Sequence, residues 1–169
     1  MNNEKWKNRI EFTYIGNIPK NVTFHNSRIV KPLSGLELAR EIKKHNLYLT
    51  GSLNEPSGNH HIEAAQCGLP LLYINSGGIP EYCKDFGLMF NNKDDLEDKL
   101  HNIFEDFQNY ELKMEKYSRN SKIMSQGFLD LFESMIENKE NYLSKRQIVF
   151  NSSFISRKIY DFRRKKSSY

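Results

Sequence analysis

The sequence predicts an α/β domain: a parallel sheet of about five short strands, helices on its faces, and a helical C-terminal extension. Three observations predict it. Short apolar runs, each stopped by glycine or a polar turn, alternate with stretches of helical spacing, the pattern of strand–helix units. The run Leu71-Leu-Tyr-Ile74 stands between polar flanks, as a central parallel strand does. From Asp94 onward only helical periodicities remain.

The elements follow in order. Ile10-Glu-Phe-Thr-Tyr-Ile15 alternates apolar and polar residues and ends at Gly16, a strand running into a turn. Asn21-Val-Thr-Phe24 is read as a second short strand. Ser34-Gly-Leu-Glu37 has the spacing of a capping box, and Leu38 and Ile42 carry the helix to about Lys44. Leu47-Tyr-Leu-Thr50 is a third strand, stopped by Gly51. Asn54-Glu-Pro-Ser-Gly-Asn59 is a loop by composition. His61 to Gln66 is a short helix closed by Gly68, and Leu71–Ile74 is the fourth strand, broken by Ser76-Gly-Gly78. Ile79 to Lys84 makes a helical turn before the fifth strand, Gly87-Leu-Met-Phe90. Leu96, Leu100, Ile103, Phe104 and Phe107 then form one amphipathic stripe, and Phe128, Phe132, Met135, Ile136 and Leu143 another. The weaker pattern from Tyr110 to Ser125 is read as a third helix. The expected divisions are an α/β domain over 1–93, a helical extension packing on it over 94–146, and a basic tail over 147–169.

With 169 residues, 38% of them hydrophobic, the chain suits one domain with a sizeable core and is too apolar for a disordered one. Its net charge of +4 is concentrated at one end: Lys145 to Tyr169 holds eight basic residues and one acid, Asp161. The remainder has 17 basic against 20 acidic residues, so no nucleic-acid partner is expected of the body. The tail fits a solvated end, or peripheral contact with anionic lipid. Cys67 and Cys83 are too few for a disulfide framework or a structural zinc site. His60 and His61 are adjacent, so their side chains diverge, which argues against a shared metal; no metal or other cofactor is expected. Met1 to Arg9 has no signal-peptide core, and no apolar run approaches the ~18 residues of a membrane helix. A cytoplasmic protein, at most peripheral to the inner face of the membrane, is expected.

In parallel sheets ligands sit beyond the carboxyl ends of the strands. The turn at Gly16, the loop after Thr50 and the loop after Asn75 all fall on that edge. Glu55-Pro-Ser-Gly-Asn-His-His-Ile-Glu63 carries two carboxylates, each able to accept two hydrogen bonds from a vicinal diol. Between them Gly58 lets the backbone approach a ligand, and the amides at the helix start favour an anion or sugar oxygens. Ribose at one end, phosphates in the middle and a sugar at the other would match a nucleotide-sugar. Glu81, after Gly77 and Gly78, fits plain helix capping as well as ligand contact. His25 and Arg28 are read first as a solvent-facing loop, with contact to a base or phosphate as the alternative.

Asn54-Glu-Pro-Ser-Gly-Asn-His-His-Ile-Glu-Ala-Ala-Gln-Cys-Gly-Leu-Pro70, then Ser76-Gly-Gly-Ile-Pro-Glu81 and Gly87-Leu-Met-Phe90, resembles the donor-binding domain of retaining glycosyltransferases with two Rossmann-like domains (the GT-B, "group 1" type). The likeness runs from about Ile10 to Phe90. It implies a Rossmann-like sheet, a UDP- or GDP-sugar as donor, and transfer with retention to a glycan or lipid-linked acceptor without a metal. Glu63 would bind the ribose hydroxyls and Glu55 would contact the transferred sugar near the reacting carbon. Backbone around Ser57, Gly58 and Asn59 would hold sugar or phosphate oxygens, Gly77 and Gly78 would shape the pocket, and His60 and Gly16 would line it. Such enzymes carry an N-terminal acceptor domain, whereas nine residues precede the first strand here; the chain therefore reads as truncated on that side, with the acceptor site expected on a separate chain. A catalytically inactive nucleotide-sugar binding module and a same-fold epimerase are the alternatives.

Overall fold

The computed structural model describes residues 6 and 8–145. The basic tail, and the lipid contact read into it, lie outside the described residues. By its internal contacts the chain divides into two compact units, 1–121 and 122–169.

The first unit is α/β. Its five strands run parallel to their neighbours but form two ladders: β1 (Phe12–Ile15) pairs with β2 (Ser27–Val30), while β3 (Tyr48–Thr50), β4 (Leu71–Ile74) and β5 (Gly87–Phe90) lie in the order β3-β4-β5. Alternate residues of a strand face opposite ways. On β4, Leu71 and Tyr73 therefore meet Ile42 of α1 (Gly35–Ile42), Ala64 and Ala65 of α2 (His60–Gln66), and Ile79 and Cys83 of α3 (Ile79–Cys83). Leu72, with Phe90, meets Ile103 of α4 (Lys93–Glu105) and Phe107 of α5 (Phe107–Met114). Helices thus cover both faces of the β3-β4-β5 ladder, the α/β arrangement the sequence predicts. Leu71 and Leu72 have no more than 1% of their surface exposed. Burial of that kind stabilises by roughly 2 kcal/mol per side chain. Cys83 is equally hidden, and burial pushes its thiol up to about 12.

Three local expectations are corrected. The second strand is Ser27–Val30, not Asn21–Phe24. Phe24 instead stacks on Tyr14 at 4.8 Å, and Asn26 (φ +53) turns the chain into the strand. The capping box at Ser34 does not form, because Gly35 takes φ +55 and the Ser34 hydroxyl caps nothing. A capping box is found instead at Asn92, whose side chain accepts from Asp94 and Asp95 amides while Asp95 reaches back. The helix expected over Tyr110–Ser125 is interrupted. α5 ends at Met114, and the following segment places Tyr117 edge-on against Phe86 and Arg119 over Tyr82.

Of the second unit, α6 (Ser121–Glu137) and α7 (Lys139–Lys145) are described, and neither contains a buried residue. Phe128 and Phe132 stack on each other at 6.3 Å along α6. No helix of the described residues is long and apolar enough to cross a membrane.

Candidate functional site

Because β3 and β4 are parallel neighbours, the segments leaving their carboxyl ends emerge side by side. These are the Asn54–Asn59 loop and the Ser76–Gly78 turn. Two hydrogen bonds lock them together, and a third ties the loop to α3. The Asn54 amide donates to Ser76 Oγ (2.9 Å), the Gly78 amide donates to the Glu55 carbonyl (2.9 Å), and Ser57 Oγ pairs with Tyr82 Oη (3.1 Å). The turn has to be glycine. Gly77 sits at φ +59, where side chains are strained, and a Cβ on it would strike the Glu55 backbone. A Cβ on Gly78 would strike the Pro56 carbonyl. So Gly77 and Gly78 act on the Glu55 loop by letting the two backbones touch.

The lock leaves Glu55 half-buried and Glu63 exposed on the first turn of α2, with Gly58 buried between them in the chain. Asn59 caps α2 without a side-chain hydrogen bond and is exposed. Glu55 Oε1 accepts a long bond from the Ser57 amide (3.4 Å). Glu55, Ser57, Gly58, Asn59, His60, Gly77 and Gly78 therefore share one loop cluster. Gly16 belongs to the other ladder, where its amide donates to Val30 (3.0 Å). Arg28 lies within β2, not after it, and is engaged by Glu41, a buried carboxylate that Lys44 also holds at 2.6 Å. Among the described residues no group of three or more His, Cys, Asp and Glu side chains is placed to hold a metal ion.

Two neighbours of the site, Tyr48 and Tyr82, escaped the sequence reading, and a third, His61, was weighed there against a shared metal and placed in a helix without its packing. His61 is wholly buried, with its ring between those of His60 (4.9 Å, edge-on) and Tyr82 (5.4 Å). The signal was present, since positions 61, 64 and 65 share one helical face and Ala64 and Ala65 are core. Tyr48 Oη bonds His60 Nδ1 at 2.8 Å. Both histidines are held below the ordinary imidazole range, chiefly by burial, His61 to about 4.

A stability slope follows. The unfolded chain takes up a proton near pH 6.5, whereas folded His61 resists until about 4. His61 therefore leaves stability intact above pH 6.5 and removes it as the pH falls from there toward 4. Urea melts should show a loss of about 2 kcal/mol between pH 7 and 5 from this residue. His61→Phe, which has nothing to protonate, should flatten much of the slope.

A family model for glycosyl transferases group 1 matches residues 11–121, more than half of the chain. The chain belongs to the glycosyl transferases group 1 family. The family match ends at the residue where the first compact unit ends, so it is the α/β unit that carries the family character. One curated group 1 relative is the phosphatidylinositol N-acetylglucosaminyltransferase gpi3 subunit of Schizosaccharomyces pombe, 33% identical over 81 residues. The aligned stretch covers 47% of this chain and 18% of that protein, so this glycosyl transferases group 1 chain spans under a fifth of its relative.

Proposed function

We propose that this chain binds a UDP- or GDP-sugar and takes part in transferring its glycosyl group, with retention, to a glycan or lipid-linked acceptor. The observation that carries the reading is the locked loop pair: Gly78 holds the Glu55 carbonyl and thereby presents Glu55, the Gly58 turn and Glu63 on one continuous segment at the strand ends. In this reading Glu63 accepts the ribose hydroxyls. Glu55 accepts hydroxyls of the transferred sugar, and the amides at Gly58 and Asn59 meet the diphosphate or sugar oxygens. Such fixed donors lower the barrier where charge grows on the leaving phosphate, so no metal is required of this site. Gly16 lines the pocket only if the β1 turn reaches the same ligand.

The acceptor groups belong, in this proposal, to another chain. The relative is itself named as a subunit, and it is named for phosphatidylinositol, which supports a lipid-linked acceptor here.

Calorimetric titration with UDP- and GDP-sugars tests the donor site. Wild-type chain should bind at least one, and Glu63→Ala should weaken that binding by about tenfold or more, equally for the nucleotide with and without its sugar. Absence of binding to every nucleotide-sugar would leave a non-catalytic member of the family.

A further inference from the structure

We propose that Tyr48 and His60 are positioning residues for Glu55: Tyr48 holds Nδ1 of His60, so that Nε2–H is free to donate to a Glu55 oxygen when the donor's sugar seats at the Gly58 turn. This rests on the donor-site reading above and adds two residues to it. The Tyr48 phenol is the better-defined end of the chain. It is kept protonated by burial, and its single proton needs an acceptor. The acceptor at 2.8 Å is His60 Nδ1, which must then carry the lone pair. A neutral imidazole with an unprotonated Nδ1 bears its proton on Nε2.

That Nε2–H is buried and has no hydrogen-bond partner among the described residues. A hidden, unpaired donor is unfavourable, so what lies beside it matters. Glu55 lies on the same side of Gly58. The point where a Cβ on Gly58 would stand is 2.6 Å from His60 Nε2 and 3.1 Å from Glu55 Cγ. Any residue but glycine there would wedge the imidazole and the glutamate apart. The ring cannot easily turn away, because His61 packs edge-on against it and is itself backed by Tyr82. Among the described residues the Glu55 carboxylate is held by one long contact, from the Ser57 amide, which leaves it room to move. Since Nε2 is shielded from the surface, its partner in this proposal is the neighbouring Glu55 and not the ligand itself.

The test uses isosteres. Glutamine places an amide N–H near the Nε2 position of histidine, and asparagine places one near Nδ1. Binding of UDP-N-acetylglucosamine against UDP, and of GDP-mannose against GDP, is measured for wild type, His60→Gln, His60→Asn and Tyr48→Phe. Wild type should bind the sugar nucleotide more tightly than the bare nucleotide. His60→Asn should lose about tenfold of that preference, Tyr48→Phe should lose a smaller part, and His60→Gln should keep it. Thermal melts show separately that each variant is folded, and the quantity read is the ratio of sugar-nucleotide to bare-nucleotide affinity. Long-range proton–nitrogen spectra of wild type should show His60 as the Nε2–H form at pH 7.5, before any ligand is added.

If His60→Asn keeps the sugar preference, or weakens bare nucleotide as much as sugar nucleotide, the inference is overturned while the donor site stands. It is overturned equally if His60 is the Nδ1–H form, or if wild type has no sugar preference to lose. If wild type binds no nucleotide at all, the donor-site reading fails and takes this one with it.

Discussion

Gly87→Ala is expected to destabilise the first unit by about 3 kcal/mol, the upper part of the usual range for an added methyl in a packed interior. Gly87 opens β5 in register with Leu71 of the central strand, and a Cβ on it would overlap the Leu71 carbonyl. The obstacle is backbone, so no rotamer change can relieve it. Leu71 has helices packed on its own face and Leu72 on the other, both wholly buried, so β4 has nowhere to shift. Urea unfolding should show a lower midpoint with an unchanged slope, meaning that stability and not compactness has altered. Gly68→Ala gives a useful contrast. No atom lies within 4 Å of its Cβ, so strain from φ +90 is the only penalty, and the loss should be smaller.

The second large effect is on binding. Gly78→Ala should reduce nucleotide-sugar affinity by about thirtyfold, close to 2 kcal/mol, while leaving most of the fold's stability in place. Gly78 has an ordinary helical backbone (φ −87), which alanine adopts without strain. The sole fault would be the collision with the Pro56 carbonyl, relieved by moving the Asn54–Asn59 loop away. That motion breaks the Gly78 amide bond to Glu55 and carries Glu55 and Gly58 off together. Titration against melting should separate the two quantities. Gly77→Ala would confound them, since φ +59 adds backbone strain to the collision.

What was legible in the sequence was local. The runs Leu71–Ile74 and Gly87–Phe90 form strands between those very residues, because their apolar composition and glycine stops act over four or five positions. The loop from Asn54 to Asn59 was legible as a loop, since Pro56, Gly58 and the polar residues around them break both strand and helix over a few positions. What was hidden depended on distant partners. Phe24 looked like a strand residue until Tyr14 took its ring. Arg28 looked like a spare cation until Glu41 claimed it. The paired glycines looked like a ligand-facing loop, yet their nearest neighbours are the backbone atoms of Glu55 and Pro56 some twenty residues back. His61 was weighed as a metal ligand by residue type, although its helical position placed it on the core face.

The buried thiol of Cys83 gives the molecule an internal clock. An alkylating reagent needs a thiolate within reach, and in the closed state Cys83 offers neither access nor appreciable ionisation. Its modification must wait for α3 to lift from the sheet, the same helix that follows the Gly77–Gly78 turn. The rate of labelling at this one sulfur therefore counts openings of the wall behind the Asn54–Asn59 loop and the Ser76–Gly78 turn. A ligand that clamps those loops would be seen as a slowing of that count, with no spectroscopic probe added to the protein.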